Sequence, residues 1–266
     1  MAQLASALAL WTAGFRSTLQ YRTDTFIVIA MALAFQGTGF AFVWVLLSRF
    51  ESLAGWTLGQ VAFLYGLRLI VHAAAGVLTG PIFSLESQVR SGDFDRYLLR
   101  PLSPLVQFMT QRVEISILGD LLGGVAIFAV ANQAIGLAWT PISVLYLCLA
   151  VLGGALVEGS VRILIGAATF RTLSSQSLVF LADSVFSNFA NYPLSIFGTI
   201  LQYVFTFILP LAFVAYLPAT ALLDKTADLQ VSPAFAFAAP LVGLAWAFVA
   251  AVVFNHELKH YQSAGH

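Results

Sequence analysis

Apolar residues run through this chain in long blocks broken by short polar stretches. A helix needs about 20 mostly apolar residues to cross the hydrocarbon of a bilayer. Six stretches meet that requirement: 25–47, 57–83, 113–135, 141–168, 194–217 and 233–254. The first and the last carry no charge, and the fifth holds Pro210. Ahead of them, Leu4, Leu8, Trp11, Phe15 and Leu19 recur at helical spacing, with Ser6, Ala13, Ser17 and Gln20 opposite. This predicts an amphipathic helix over 1–24, lying along the membrane face or packed on protein. Its first positive charge is Arg16, so it lacks the basic start of a cleavable signal peptide. Residues 170–192 are mixed in polarity and predict an interfacial helix. Read instead as a seventh span, they would put the two ends of the chain on opposite sides.

Composition strengthens the membrane reading. Of 266 residues, 60% are hydrophobic and 9% charged, against about 45–50% and 25% in soluble domains. The expectation is an all-α integral membrane protein with one transmembrane domain over 1–266. Net charge is zero, which argues against a nucleic-acid partner. The single cysteine, Cys148, lies in an apolar run and is expected to be a small core residue. With six spans, Arg16, Arg22, Arg90, Arg96, Arg100, Arg112, Arg171 and Lys259 fall on one side, and Arg49 and Lys225 on the other. That bias predicts both termini in the cytoplasm. No internal repeat is visible.

One stretch stands apart. "RSGDFDRYLLRPLSP", Arg90 to Pro104, has five charged residues in fifteen. At roughly 2.5–3.5 kcal/mol each, five charges at the bilayer centre would cost more than about 12 kcal/mol, so the stretch lies outside the hydrocarbon. Ser84 is placed to cap a short helix that Gly92 ends, and Asp93 to cap a second turn that Pro101 and Pro104 end. Phe94, Tyr97, Leu98 and Leu99 supply apolar surface among the charges. The pattern fits a docking surface for another protein and equally a solvated loop that fixes topology.

Polar residues inside the spans are the other candidates. Arg68 and His72 share a face, as do Glu158 and Arg162, and Asp120 lies in the third span. Ionisable groups at membrane depth are candidate functional groups. The structural alternative is internal pairing, Glu158 with Arg162 and Asp120 with Arg68 or His72. Gly76 with Gly80, and Gly119 with Gly123, permit close helix approach. Pro210, followed by Pro218, predicts a break in the fifth span.

With these residues in view, "SGDFDRYLLRPLSPL" resembles the intracellular loop of permeases in the type-2 ABC exporter superfamily, in the bacterial branch that often has two different six-span subunits. "NYPLSIFG" (191–198), "ILPLAFVAYLPA" (208–219) and the tail "YQSAGH" (261–266) are similar to the same pattern, while Arg171 stands where an aromatic is expected. The resemblance covers nearly the whole chain. It implies a six-span subunit of the bacterial inner membrane that transports without being an enzyme, and a partner ATPase that carries ATP and Mg. This chain would bind no cofactor. The lack of a G-x-x-x-x-G-K-[ST] phosphate loop agrees.

The resemblance further implies that residues 84–104 are a coupling loop seated in the ATPase, with Glu86, Arg90, Asp93, Asp95, Arg96 and Arg100 as coupling residues. The amino-terminal stretch becomes a connecting helix. The break at Pro210 becomes a re-entrant outer gate, lined by Phe205, Phe207, Phe213 and Tyr216. A second permease subunit, identical or related, completes the pathway. The cargo is open: the apolar interior suits amphiphilic or cationic compounds, with glycans, peptides and ions as alternatives.

Three rival functions remain, a purely structural membrane subunit being the third. His256-Glu257-Leu258-Lys259-His260 matches H-E-x-x-H, a zinc-protease signature. It lies just past the last span, and a third ligand is hard to find beyond it, so no catalytic or metal residue is expected. The second rival is an ion- or proton-coupled transporter or channel that uses the polar residues of the spans and needs no ATPase.

Overall fold

The computed structural model describes residues 22–49, 52–112 and 115–262. The amphipathic stretch 1–21 and the last four residues of the tail motif lie outside them. The described residues form helices joined by turns, with one isolated bridge between Leu53 and Trp56. The helices are α1 (Arg22–Arg49), α2 (Leu58–Thr79), α3 (Leu85–Arg90), α4 (Asp95–Leu98), α5 (Pro104–Met109), α6 (Ser116–Ile135), α7 (Pro141–Ala167), α8 (Thr169–Thr172), α9 (Gln176–Phe189), α10 (Thr199–Tyr203), α11 (Tyr216–Leu222) and α12 (Ala239–Glu257). Four of them, with short extensions, are long and apolar enough to cross a membrane, and a fifth is added if α10 and α11 count as one bent span.

Local signals set the ends. Thr57 and Gln60 form a reciprocal capping box at α2, and Thr140 and Ser143 do the same at α7, where Pro141 takes the first helical position. Gly136, at φ +69°, ends α6 with a left-handed residue. The predicted break at Pro210 is present. A π-helical turn, Val204–Ile208, leads into it, and the chain bends by 78° between Thr199–Ile208 and Leu211–Leu222. The first turn of the sixth predicted span is a separate 3-10 turn, Pro233–Phe237, and α12 begins after it.

α2 is the central helix, packed against α6 and α7, with α12 on the far side of α7 and α1 packed mainly on α6 while also touching α2 through Gln36 and Phe40 at Tyr65. The α7–α12 crossing brings backbone onto backbone. A Cβ added to Gly243 would lie 2.7 Å from the Cα of Gly153, so no larger residue fits there without separating the helices. Cys148 faces outward from α7 and is exposed, contrary to the expectation of a core position: the apolar run around it belongs to a helix whose outer face is itself apolar.

The C-terminal ends of α7 and α12 meet the α3–α5 segment at one end of the bundle. Tyr261 donates to Asp95 at 2.7 Å, and Arg171 pairs with Glu257. The start of α12 lies at the opposite end, where the Tyr146 hydroxyl near the start of α7 donates to the Ala236 carbonyl.

Candidate functional site

Arg68 sits midway along α2 and His72 one turn further on. Glu158 and Arg162 lie on the facing side of α7, and α9 brings Asp183 and Ser187 to the same place. Glu158 is wholly buried and pairs with Arg162, as expected from their spacing, while His72 Nδ1 lies 2.5 Å from Glu158 Oε1. Arg162 also reaches Asp183, with Nη2 at 2.5 Å and Nε at 3.1 Å. Arg68 Nη2 donates to Ser187 at 2.8 Å and approaches His72 Nδ1 to 3.5 Å. Taking ions out of water costs several kcal/mol each, which only close pairing offsets. Here the pairing is mutual, and one guanidinium serves two carboxylates.

His72, Glu158 and Asp183 place ligand-type atoms within 4.8 Å of one another, as a metal site would. The cluster nevertheless suits a cation already present. Arg162 Nη2 contacts both carboxylates and lies 3.2 Å from His72 Nδ1, so the guanidinium fills the position a metal would take.

Asp120 does not join this network. Its described hydrogen bond is from Gln36 Nε2 on α1, at 2.7 Å, and not from Arg68 or His72. The expected pairing fails because α1 packs on α6 and presents an amide to that carboxylate first. Arg68, His72, Asp120 and Asp183 all border one open cavity of about 930 Å³. Its walls come from α1, α2, α6 and α9: Val28, Met31 and Phe35 make one side apolar, while Ser187, Asn188 and Asn191 make the other polar.

The charged stretch at the end of the bundle has a different build. Phe94 is buried at the centre of an aromatic cluster, with ring centroids 5.1–5.8 Å from Tyr97, Phe108, Phe170 and Tyr261. The expected docking aromatics therefore face inward and fasten the segment to α7 and α12. Burial pushes the Tyr97 phenol up, so it keeps its single proton, which the side-chain oxygens of Gln88 and Gln111 share, while accepting from Arg96. Leu98 and Leu99 remain outside, Leu99 at 85% exposure, beside the exposed Asp93, Arg96 and Arg100.

The capping expectations fail here. Ser84 precedes α3 but turns its hydroxyl to the Pro81 carbonyl, and Asp93 bonds the Ser91 hydroxyl rather than the next helix. Gly92, at φ +77°, makes the predicted stop. Glu86 and Arg90 point back to the bundle. Glu86 Oε2 accepts the backbone N–H of Ser175 and of Gln176, each at 2.7 Å, and so caps α9 from outside that helix. Arg90 pairs with Glu86 at 2.9 Å and donates to the carbonyl of Leu173 at 2.6 Å, at a residue held in the left-handed region, φ +53°. α9 is thus tied to α3 at its start and to Arg162 and Arg68 further along. The stretch predicted as interfacial lies against the bundle.

Comparison with known proteins yields a match to the family described as ABC-2 family transporter protein, over residues 33–265. The chain belongs to this family. It is a transmembrane permease of an ABC transporter. No match is found among curated proteins or solved structures.

In this ABC-2 permease the residues around Pro210 are packed together. Phe205 lies between Phe189 and Phe197, Phe213 against Phe235, and Tyr216 against Trp56, all buried; Phe207 is half exposed. Tyr216 also borders a small crevice with Gln202 and Thr206. In the H-E-x-x-H stretch both histidines are exposed, with ring centroids 5.7 Å apart, and Glu257 is engaged by Arg171. A general base must be available to a metal-bound water, and this glutamate is paired instead.

Sequence reading passed over Asp183, Ser187 and Gln36. Asp183 is the one acidic residue in 170–192 and was the available signal: a carboxylate among apolar residues calls for a cationic partner.

Proposed function

We propose that this chain is the six-span permease half of an ATP-driven exporter of the bacterial inner membrane. In this reading α1, α2, α6, α7 and α12 cross singly, the α10–α11 pair completes the broken fifth crossing, and both termini face the cytoplasm with the α3–α5 segment. A separate ATPase seats on the exposed rim around Leu99 and Arg100. A second permease subunit, identical or related, completes the path, with the packed residues at Pro210 as its outer gate.

The observation that best supports coupling is the Glu86 clamp on α9. A push on the segment moves the start of α9, and α9 carries the groups that hold Arg162 and Arg68. The connection from the ATPase to the membrane interior is then made of hydrogen bonds and ion pairs. The test is purification from the native membrane in mild detergent. A co-purifying soluble subunit with ATPase activity supports the reading, and Leu99→Asp with Arg100→Ala then lowers stimulated ATPase activity several-fold without loss of membrane insertion. A chain that transports alone in liposomes, insensitive to vanadate, refutes it in favour of a secondary transporter, a reading that the buried charges of α2 and α7 also support.

A further inference from the structure

The charged groups beside the cavity at α2 differ in how far a guest could reach them. Glu158 and Asp183 share Arg162, and Arg68, 2% exposed, donates to Ser187 and has no carboxylate partner among the described residues. His72 turns its Nδ1 to Glu158, so a proton there serves Glu158. Asp120 alone has no cationic partner among the described residues. Its one described hydrogen bond comes from the neutral Gln36 amide, and it is only partly buried, on the cavity wall. An amide supplies a hydrogen bond but no counter-charge, and a carboxylate in low dielectric is costly without one.

We infer that this cavity binds an organic cation with an apolar body, its charge set against Asp120. The facing wall of Val28, Met31 and Phe35 suits the apolar part. Tyr192 also borders the space, a ring of the kind that attracts cations. About 930 Å³ is at the upper end of the range for drug-sized ligands. The apolar side of the space gives a bare metal ion nothing to bind, and among the carboxylates beside it Asp120 alone is free of a cation. An anion does not fit either, because the one arginine on the wall is 2% exposed, whereas the Asp120 carboxylate is only partly buried. As a statement about cargo the inference rests on the permease reading; as a statement about binding it stands without it.

The test uses the purified full chain in nanodiscs of phosphatidylcholine, with no ATPase present. Equilibrium dialysis against tetraphenylphosphonium and tetraphenylborate compares two ions of matched size and opposite charge. The expected result is saturable retention of the phosphonium above empty nanodiscs and none of the borate. Asp120→Asn then weakens phosphonium binding about ten-fold or more, and Asp120→Glu preserves it. Equal binding of the two ions, or undiminished phosphonium binding by monodisperse Asp120→Asn, overturns the assignment. If that variant does not stay monodisperse, the matched ions on the unaltered chain decide alone. Failure to recruit an ATPase would sink the permease reading and leave this result untouched; failure here would do the reverse.

Discussion

The α3–α5 segment and the cluster between α2, α7 and α9 are built inside out relative to one another. The first has Phe94 and its neighbours at the centre and charges around them, like a small water-soluble core. The second has Arg162, Glu158 and Asp183 at the centre, between helices whose outer faces are apolar. The same residue types thus play opposite parts, and the surroundings decide which. Where water is at hand, aromatics do the fastening and ion pairs are incidental. Where water is absent, the ion pairs do the fastening, because an unpaired charge has nowhere else to go.

Breaking the buried pairs tests this most severely. Arg162→Leu leaves Glu158 and Asp183 without their shared cation and is expected to cost up to about 5 kcal/mol, read as a collapse of thermal stability in detergent. Arg162→Lys keeps a charge but loses the fork that spans two carboxylates, and is expected to recover only part of the loss. Survival of Arg162→Leu with wild-type stability would mean the cluster is hydrated and the contrast false. Phe94→Ala comes next, at about 3–4 kcal/mol. Its effect is expected to stay local, with faster hydrogen exchange over 85–109 and unchanged protection in α2 and α6; an equal loss everywhere would show that the segment is not a separate core.

Glu86→Gln keeps an oxygen that can accept both N–H groups but loses the charge that strengthens those bonds and pairs with Arg90. About 1 kcal/mol is expected, seen as several-fold faster exchange at the Ser175 and Gln176 amides. Smallest is Arg171→Ala. Its pair with Glu257 lies on the exposed side, and no measurable change in melting temperature is expected.

The legibility of the chain follows the range of the interactions. Apolar blocks, the break at Pro210 and the Glu158–Arg162 pair are set by neighbours within a few residues, and the pattern alone shows them. The clamp from Glu86 to Ser175 joins positions 89 apart, and the Gln36–Asp120 bond positions 84 apart. Nothing local announces either contact. The inward turn of Phe94 was hidden for another reason: a charged composition says that a segment meets water, not which of its residues do. Outer apolar faces mislead in the opposite sense, as at Cys148, because hydrophobicity inside a bilayer no longer distinguishes core from surface.

The meeting of chain segments at one end of the bundle fixes a matter of parity. Arg171 leaves α7 beside Glu257, the last residue of α12, while α12 starts at the far end, where Tyr146 holds Ala236. Between Thr172 and Ala239 the chain must therefore travel the length of the bundle an odd number of times, however the 78° bend is counted. α9 makes the first part of that journey, climbing from Glu86 to Arg68, and Lys225 ends the last part against the Gly55 carbonyl at 3.1 Å. The bent pair is thus the upper portion of a route that α9 begins, and a label at residue 174 and another at 227 belong on opposite ends of the molecule.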